Sequence, residues 1–493
     1  MSGRARNGCG AALALALSLL PGSADGQDFR AHATTSVHYV GLQPIRQDTV
    51  SRSRVEVAPD GSLVFEGHRV TCIPELPCTF YRPTDRESAL AGSQDLSFTA
   101  WGLGVRGLSA TGLLRGRFRL DGDFVWPRSD DALDAILAYA QLDRGGWRFR
   151  LGRQETLSGL GFAGFDGGSA RWAPLRELAV EVYGGRSLAR GLSEPRNDAL
   201  RGLEDFIPDR NAWLMGGFAR GDLGGATVAG LRYQREIWSD RSGLVQERAS
   251  LDVRSGILHP VEIEGALDYD VAFDRIGKSH LTLRYPLPAH HLFFEGTLRR
   301  HVPYFELSTI WGFFSPVAYH EGEVKLAVSP FQTTSFALLG GWRRYQETHA
   351  PLIFAPLEDE GWRVEASVLT QPSGTFSAEG RYRVEWGVGA FLSSADARLR
   401  WRVREGLEVG AMGTAFQQFQ EFRVGEGRVW GGGLTAGADL VRGFRLDGGV
   451  GVYRHDPEGG ALVEAWNQLR AWTMLSVPFG EDAGAERPRR WRR

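Results

Sequence analysis

The sequence predicts an all-β chain, a transmembrane antiparallel barrel of the outer-membrane type. Three observations predict it. Apolar and charged residues alternate with a period of two in one segment after another, which is the signature of strands. The apolar face is rich in Trp and Tyr, while the opposite face carries Arg and Glu, so the pattern suits a barrel with lipid outside and water inside. Past the N-terminal leader no stretch approaches about 18 uninterrupted apolar residues, so no spanning helix is expected. The mean hydropathy of -0.24 does not conflict with this, because half of a spanning strand faces the lumen.

The chain opens with a leader. Arg4 and Arg6 precede an apolar run from Ala11 to Leu20, and Pro21, Gly22, Ser23 and Ala24 resemble a cleavage site. Residues 1–24 therefore read as a secretory signal peptide, and Cys9 leaves with it. Export places the two remaining cysteines, Cys72 and Cys78 of CIPELPC, where a disulfide is the expected state. A zinc site would need two further ligands, and the spacing departs from the two intervening residues of a redox pair. No metal or cofactor is expected.

Residues 25–94 are mixed and polar, with scattered prolines. They are expected to form a periplasmic N-terminal extension, or a small plug or strap held by the disulfide. VEVAPDGSLVFEGHRV (55–70) reads as a hairpin turned at Asp60-Gly61.

Residues 95–479 are expected to form the barrel. Arg115, Arg117 and Arg119 alternate with Gly116, Phe118 and Leu120, and Arg148 and Arg150 with Trp147, Phe149 and Leu151. Val261, Ile263, Leu267 and Tyr269 oppose Glu262, Glu264, Asp268 and Asp270. Trp362, Val364, Ala366 and Val368 oppose Arg363, Glu365 and Ser367. Tyr382, Val384 and Trp386 oppose Arg381, Arg383 and Glu385, and Leu399, Trp401 and Val403 oppose Arg398, Arg400, Arg402 and Arg404. Turn-like breaks such as Asp121-Gly122-Asp123 and Pro372-Ser373-Gly374 separate the runs. The expected number is about 18 strands, within a range of 16 to 20. Trp101, Trp126, Trp172, Trp213, Trp238, Trp311, Trp342, Trp430, Trp466 and Trp472 are candidates for interfacial girdles.

Four longer segments, about 155–175, 185–211, 304–320 and 346–360, read as loops that carry specificity. The last strand runs from Trp466 to Phe479. Residues 480–493 form a charged tail expected to be disordered.

The residues expected to line a pore are Arg115, Arg117, Arg119, Arg148, Arg150, Arg153, Glu155, Asp166, Glu262, Glu264, Asp268, Arg381, Arg383, Arg400 and Arg402. A lumen arginine offers several fixed donors and a permanent charge, and opposed carboxylates keep the path polar. Arg153 and Glu155 share a strand face, and Asp166 is placed to meet Arg153.

RLGRQETLSGLGFAGFDGGSARW followed by LAVEVYGGR resembles bacterial outer-membrane porins related to the alginate-export family. The matching positions are Gly152, Arg153, Gln154 and Glu155, then Phe165, Asp166 and Gly167, then Gly184, Gly185 and Arg186. The resemblance covers about 150–186 and implies an outer-membrane channel.

The expected function is passive passage or export of polar, including anionic, solutes through an arginine- and carboxylate-lined lumen in the bacterial outer membrane. The alternative is a plugged or partner-holding barrel, a scaffold for a periplasmic or electron-transfer protein. An outer-membrane hydrolase ranks below both, since no serine stands in a G-x-S-x-G motif, so the chain is not expected to be an enzyme. Outer-membrane lipid, lipopolysaccharide, the barrel-assembly machinery and a polar or anionic solute are the expected partners. With a formal charge of -2 and arginines that alternate with apolar residues, no nucleic acid is expected.

Overall fold

The computed structural model describes residues 28–480, apart from 44, 60, 74–75, 123–132, 176, 189–211, 225, 241, 289–290, 303–317, 347–359, 388–389, 422–426 and 458–464. The expectations for the signal peptide and the charged tail lie outside these residues.

The chain enters as β1 (Asp28–Leu42). It then makes a small excursion through β2 (Ile45–Val50), β3 (Glu56–Val57), β4 (Leu63–Phe65), β5 (His68–Thr71) and β6 (Cys78–Pro83). It returns as β7 (Glu87–Trp101), β8 (Leu108–Asp121), β9 (Leu133–Arg144), β10 (Trp147–Ser158), β11 (Gly161–Trp172) and β12 (Leu178–Leu188). The wall continues through β13 (Ala212–Gly224), β14 (Thr227–Trp238), β15 (Leu244–Leu258), β16 (Val261–Asp270), β17 (Arg275–Leu287) and β18 (Leu292–His301). Next come β19 (Tyr319–Phe331), β20 (Thr334–Tyr345), β21 (Glu360–Ser373), β22 (Phe376–Gly387) and β23 (Ala390–Arg404). The last strands are β24 (Leu407–Glu421), β25 (Gly427–Asp439), β26 (Arg445–Pro457) and β27 (Trp466–Gly480).

The large sheet holds 22 strands. From β7 to β27 each strand is antiparallel to its neighbours in sequence, and β1 pairs with both β7 and β27, which closes the ring. Closure matters because a sheet in hydrocarbon has no water to satisfy an open edge.

The outer face is apolar. Trp342, Trp362 and Trp386 are register partners across β20, β21 and β22, followed by Val364 with Val384 and Ala366 with Tyr382. Leu151, Leu298 and Leu434 are 72%, 65% and 63% exposed on that face. From Trp362 to Thr370 the face rises about 26 Å along the strand, or about 20 Å along the barrel axis at a tilt near 40°.

The all-β barrel agrees with the sequence expectation; the strand number does not, since 22 exceeds the range of 16 to 20. Two segments account for part of the difference. Asp28–Leu42 is a wall strand whose outer residues Ala31, Ala33 and Thr35 are too small or polar to show strong alternation. The 155–175 segment is no long loop: β10 and β11 pair up to Ser158 and Gly161 and leave only residues 159–160 between them.

The domain boundary at 94 is corrected in the same way. β1 and most of β7 belong to the wall, and only residues 43–86 form a separate unit. That unit is a five-stranded sheet in the order β2-β6-β5-β4-β3. Val50, Val70, Cys78 and Phe80 form its core, with Val55, Leu63, Phe65 and Cys72 packed around them. The expected Cys72–Cys78 disulfide is formed. Arg46 donates to Glu87 across 3.0 Å and ties this sheet to the start of β7. The expected hairpin is present, with the Gly61 amide donating to the Ala58 carbonyl in its turn.

The two rims differ. The ring starts at Asp28 and ends at Gly480 on one rim, where every connection is short, such as 145–146, 332–333 and 405–406. The opposite rim carries residues 43–86 and the connections 189–211, 302–318 and 346–359.

Candidate functional site: the lumen wall

Because neighbouring residues on a strand point to opposite faces, the register assigns every wall residue to lumen or exterior. On β7 and β8 the Arg115 guanidinium donates two hydrogen bonds to Asp95, at 2.8 and 2.7 Å. Arg117 and Arg119 share its face. On β10 Arg148 donates to Asp143 at 2.8 Å, and Arg150 donates to Gln141 at 2.7 Å and lies over the Tyr139 ring.

Among the described residues the densest charge lies between β16 and β22. Arg284 bridges Glu264 and Glu295, at 2.6 and 2.8 Å. Arg299 bridges Glu321 and Glu323, at 2.9 and 3.2 Å. Arg343 reaches Glu321 at 2.8 Å, Glu385 at 3.2 Å and the Tyr345 hydroxyl at 3.1 Å, with its guanidinium over the Tyr319 ring. Arg363 pairs with Glu323 and approaches Glu321 at 3.5 Å. Glu321 is thus a shared acceptor for three arginines, and its side chain is only 2% exposed. A carboxylate so enclosed is tolerable only because its lone pairs are occupied by cationic donors.

Further round, the pairs loosen. Arg381 stands 3.6 Å from Glu365, and Arg400 stands 3.0 Å from Glu408. Arg383 and Arg402 face the lumen beside Glu365 and Glu408 in register.

Part of the lumen is filled by the chain itself. The β10–β11 hairpin leaves the wall at Gly152, where the backbone has a φ of 125° and a side-chain carbon would fall 2.3 Å from the Ala138 carbonyl oxygen. Its pairing with β9 ends at Arg153. Its tip reaches β15, where Arg248 donates to the Leu160 carbonyl oxygen at 2.8 Å and pairs with Asp268. Beneath the tip Ala163, Phe165 and Leu214 pack together with Tyr183. The Tyr183 hydroxyl donates to Gln234, and Gln246 donates to the buried Glu236 at 2.6 Å.

Of the expected pore residues, Arg115, Arg117, Arg119, Arg148, Arg150, Glu262, Glu264, Arg381, Arg383, Arg400 and Arg402 share the lumen face. Asp268 also faces inward but is buried against Arg248 rather than wet. Arg153, Glu155 and Asp166 lie beyond the bend at Gly152, where strand alternation no longer assigns a residue to lumen or exterior. The expected Arg153–Asp166 contact does form, at 2.8 and 2.9 Å, with Asp134, the register partner of lumen-facing Arg115, at 3.7 Å from Arg153.

Among the girdle candidates, Trp172, Trp213, Trp342 and Trp430 lie on the outer face. Trp101, Trp238, Trp466 and Trp472 lie on the lumen face, and Trp126 and Trp311 fall outside the described residues. The sequence reading missed Glu321, Glu323, Arg299 and Arg343 as a unit. The alternation HEGEVK carried the signal for the two glutamates, whereas the doublets Arg299-Arg300 and Arg343-Arg344 put charge on both faces and blurred it.

No protein-family model matches this chain, and no curated protein matches it. Several solved structures resemble it in outline. One is a BenF-like porin from Pseudomonas fluorescens Pf-5, at 10% identity and a TM-score of 0.42, over 92% of this chain and 99% of that one. Another is Acinetobacter baumannii OccAB1, at 10% identity and a TM-score of 0.39, over 92% and 97%. A third is Pseudomonas aeruginosa OccK9 (OpdG), at 12% identity and a TM-score of 0.39, over 92% and 99%. None of these three names carries the alginate-export description that the 150–186 segment suggested.

Proposed function

We propose that this chain is a bacterial outer-membrane channel that passes polar and anionic solutes passively. The observation that carries the reading is a closed ring of 22 strands with an apolar exterior and a charged lumen. Outer-membrane barrels keep short turns in the periplasm and longer loops outside. The rim with Asp28 and Gly480 then faces the periplasm, and the disulfide-bonded sheet at 43–86 faces outward, opposite to the periplasmic placement expected from sequence. Lipid and lipopolysaccharide cover the apolar face, and the barrel-assembly machinery inserts it.

The anionic preference comes from which charges reach water. Arg381 and Arg400 are 51% and 70% exposed, whereas their partners Glu365 and Glu408 are 22% and 33% exposed. In these two pairs the carboxylate stays near the wall and the guanidinium extends into the path. In a planar bilayer under a potassium chloride gradient, the zero-current potential should report chloride preference. A cation preference would overturn the anionic part of the reading.

The width of the ring favours a second reading. With strands about 4.8 Å apart and tilted near 40°, a round 22-strand ring is roughly 40 Å across. That is wide enough to hold a periplasmic or electron-transfer protein. A folded barrel that conducts only when stripped of a co-purifying protein would favour that alternative.

A further inference from the structure

We infer that Arg248 latches the β10–β11 hairpin across the lumen and thereby sets the aperture of the channel, an inference that rests on the channel reading above. In the wall, β12, β13 and β14 separate β11 from β15. The tip of the hairpin therefore meets β15 only by crossing the lumen face of those three strands.

Three features fix it there. The Arg248 guanidinium donates one hydrogen bond to the Leu160 carbonyl oxygen, at 2.8 Å, and another to Asp268, so the carboxylate orients the cation that holds the tip. A side-chain carbon built at Gly159 would lie 3.8 Å from the Ser250 Cβ, so the tip is seated directly on β15. Leu160 is 6% exposed, and a tip released from β15 would return it to water.

Lumen-side wall residues near the docked hairpin are also shielded from water. Gln234, Glu236 and Gln246 face inward but are buried, although wall residues on the lumen side would otherwise be wet. Release of the tip would widen the aqueous path along this part of the wall. Arg248 is thus a positioning residue for the aperture, and it acts through the hairpin rather than by touching solute.

The spacing supplies the test. Cysteines at Gly159 and Ser250 would have Cβ atoms about 3.8 Å apart, a normal disulfide separation. The native pair does not compete, because Cys72 and Cys78 are already bonded to each other. In potassium chloride, Arg248→Ala should give open steps about 1.5-fold larger than wild type. Gly159→Cys with Ser250→Cys, added to Arg248→Ala and oxidised, should restore the wild-type step, and reduction should enlarge it again.

A folded Arg248→Ala barrel with wild-type steps would overturn the inference. So would a failure of the two cysteines to bridge in an otherwise wild-type folded barrel. If Arg248→Ala does not fold, Arg248→Lys takes its place, since it keeps the charge but loses the fork that holds Leu160 and Asp268 together. Wild-type protein that never conducts, while the cysteines bridge readily, would sink the channel reading and leave the docked hairpin standing.

Discussion

From β17 to β22 the lumen face is crossed by guanidinium–carboxylate contacts centred on Glu321. From β25 to β27 the same face carries Gly431, Gly433, Gly449 and Gly451, with Tyr453, His455, Trp466 and Trp472 laid among them. Arg470 stands over the Tyr453 ring, and His455 stacks on Trp466. The first wall is tied across its strands by long charged side chains that project inward. The second is thin, because aromatic rings lie close against glycine backbone. The contrast shows two ways of finishing a lumen face that water must reach. Paired charges stiffen the wall and narrow the path, whereas glycine with flat rings moves the wall back and leaves room beside it.

The comparison can be broken most severely at Glu321. Glu321→Ala leaves Arg299, Arg343 and Arg363 without their shared acceptor, at an expected cost of about 3–5 kcal/mol. Loss of heat-modifiable migration, or a fall in the thermal midpoint, would register it. A wild-type midpoint would mean that the ladder does not brace the wall.

A smaller effect is expected from the thin wall. A side-chain carbon at Gly449 would stand 2.7 Å from the Trp472 indole nitrogen. Gly449→Val should therefore push the ring off the wall, with a stability loss of about 1–3 kcal/mol and a smaller open step. An unchanged step would show that the path does not run beside this wall.

The smallest stability effect is expected at the loose end of the charged wall. Arg400 is 70% exposed, so Arg400→Ala should cost under about 1 kcal/mol. It should nevertheless move the zero-current potential away from chloride. A stability loss as large as that of Glu321→Ala would erase the distinction between bracing and solvent-facing arginines.

Much of this was legible from alternation alone. Trp362 to Val368 and Tyr382 to Trp386 show which face meets lipid, and Arg381, Arg383, Arg400 and Arg402 follow on the other. Alternation fails where both faces are small or polar, which is why β1, with Ala33, Thr35 and His38, was hidden. It foretells the Arg153–Asp166 contact but not the bend at Gly152 that takes the pair out of the wall's alternation. The reach of Leu160 to Arg248 had no sequence signal, because 88 residues and three wall strands separate them.

On the channel reading, the ring encloses a continuous water-filled path. Single-channel recording of the refolded wild-type barrel, shown to be folded by heat-modifiable migration, tests it most directly. Stable open steps that scale with salt concentration are expected. A folded barrel that inserts and never opens would contradict it.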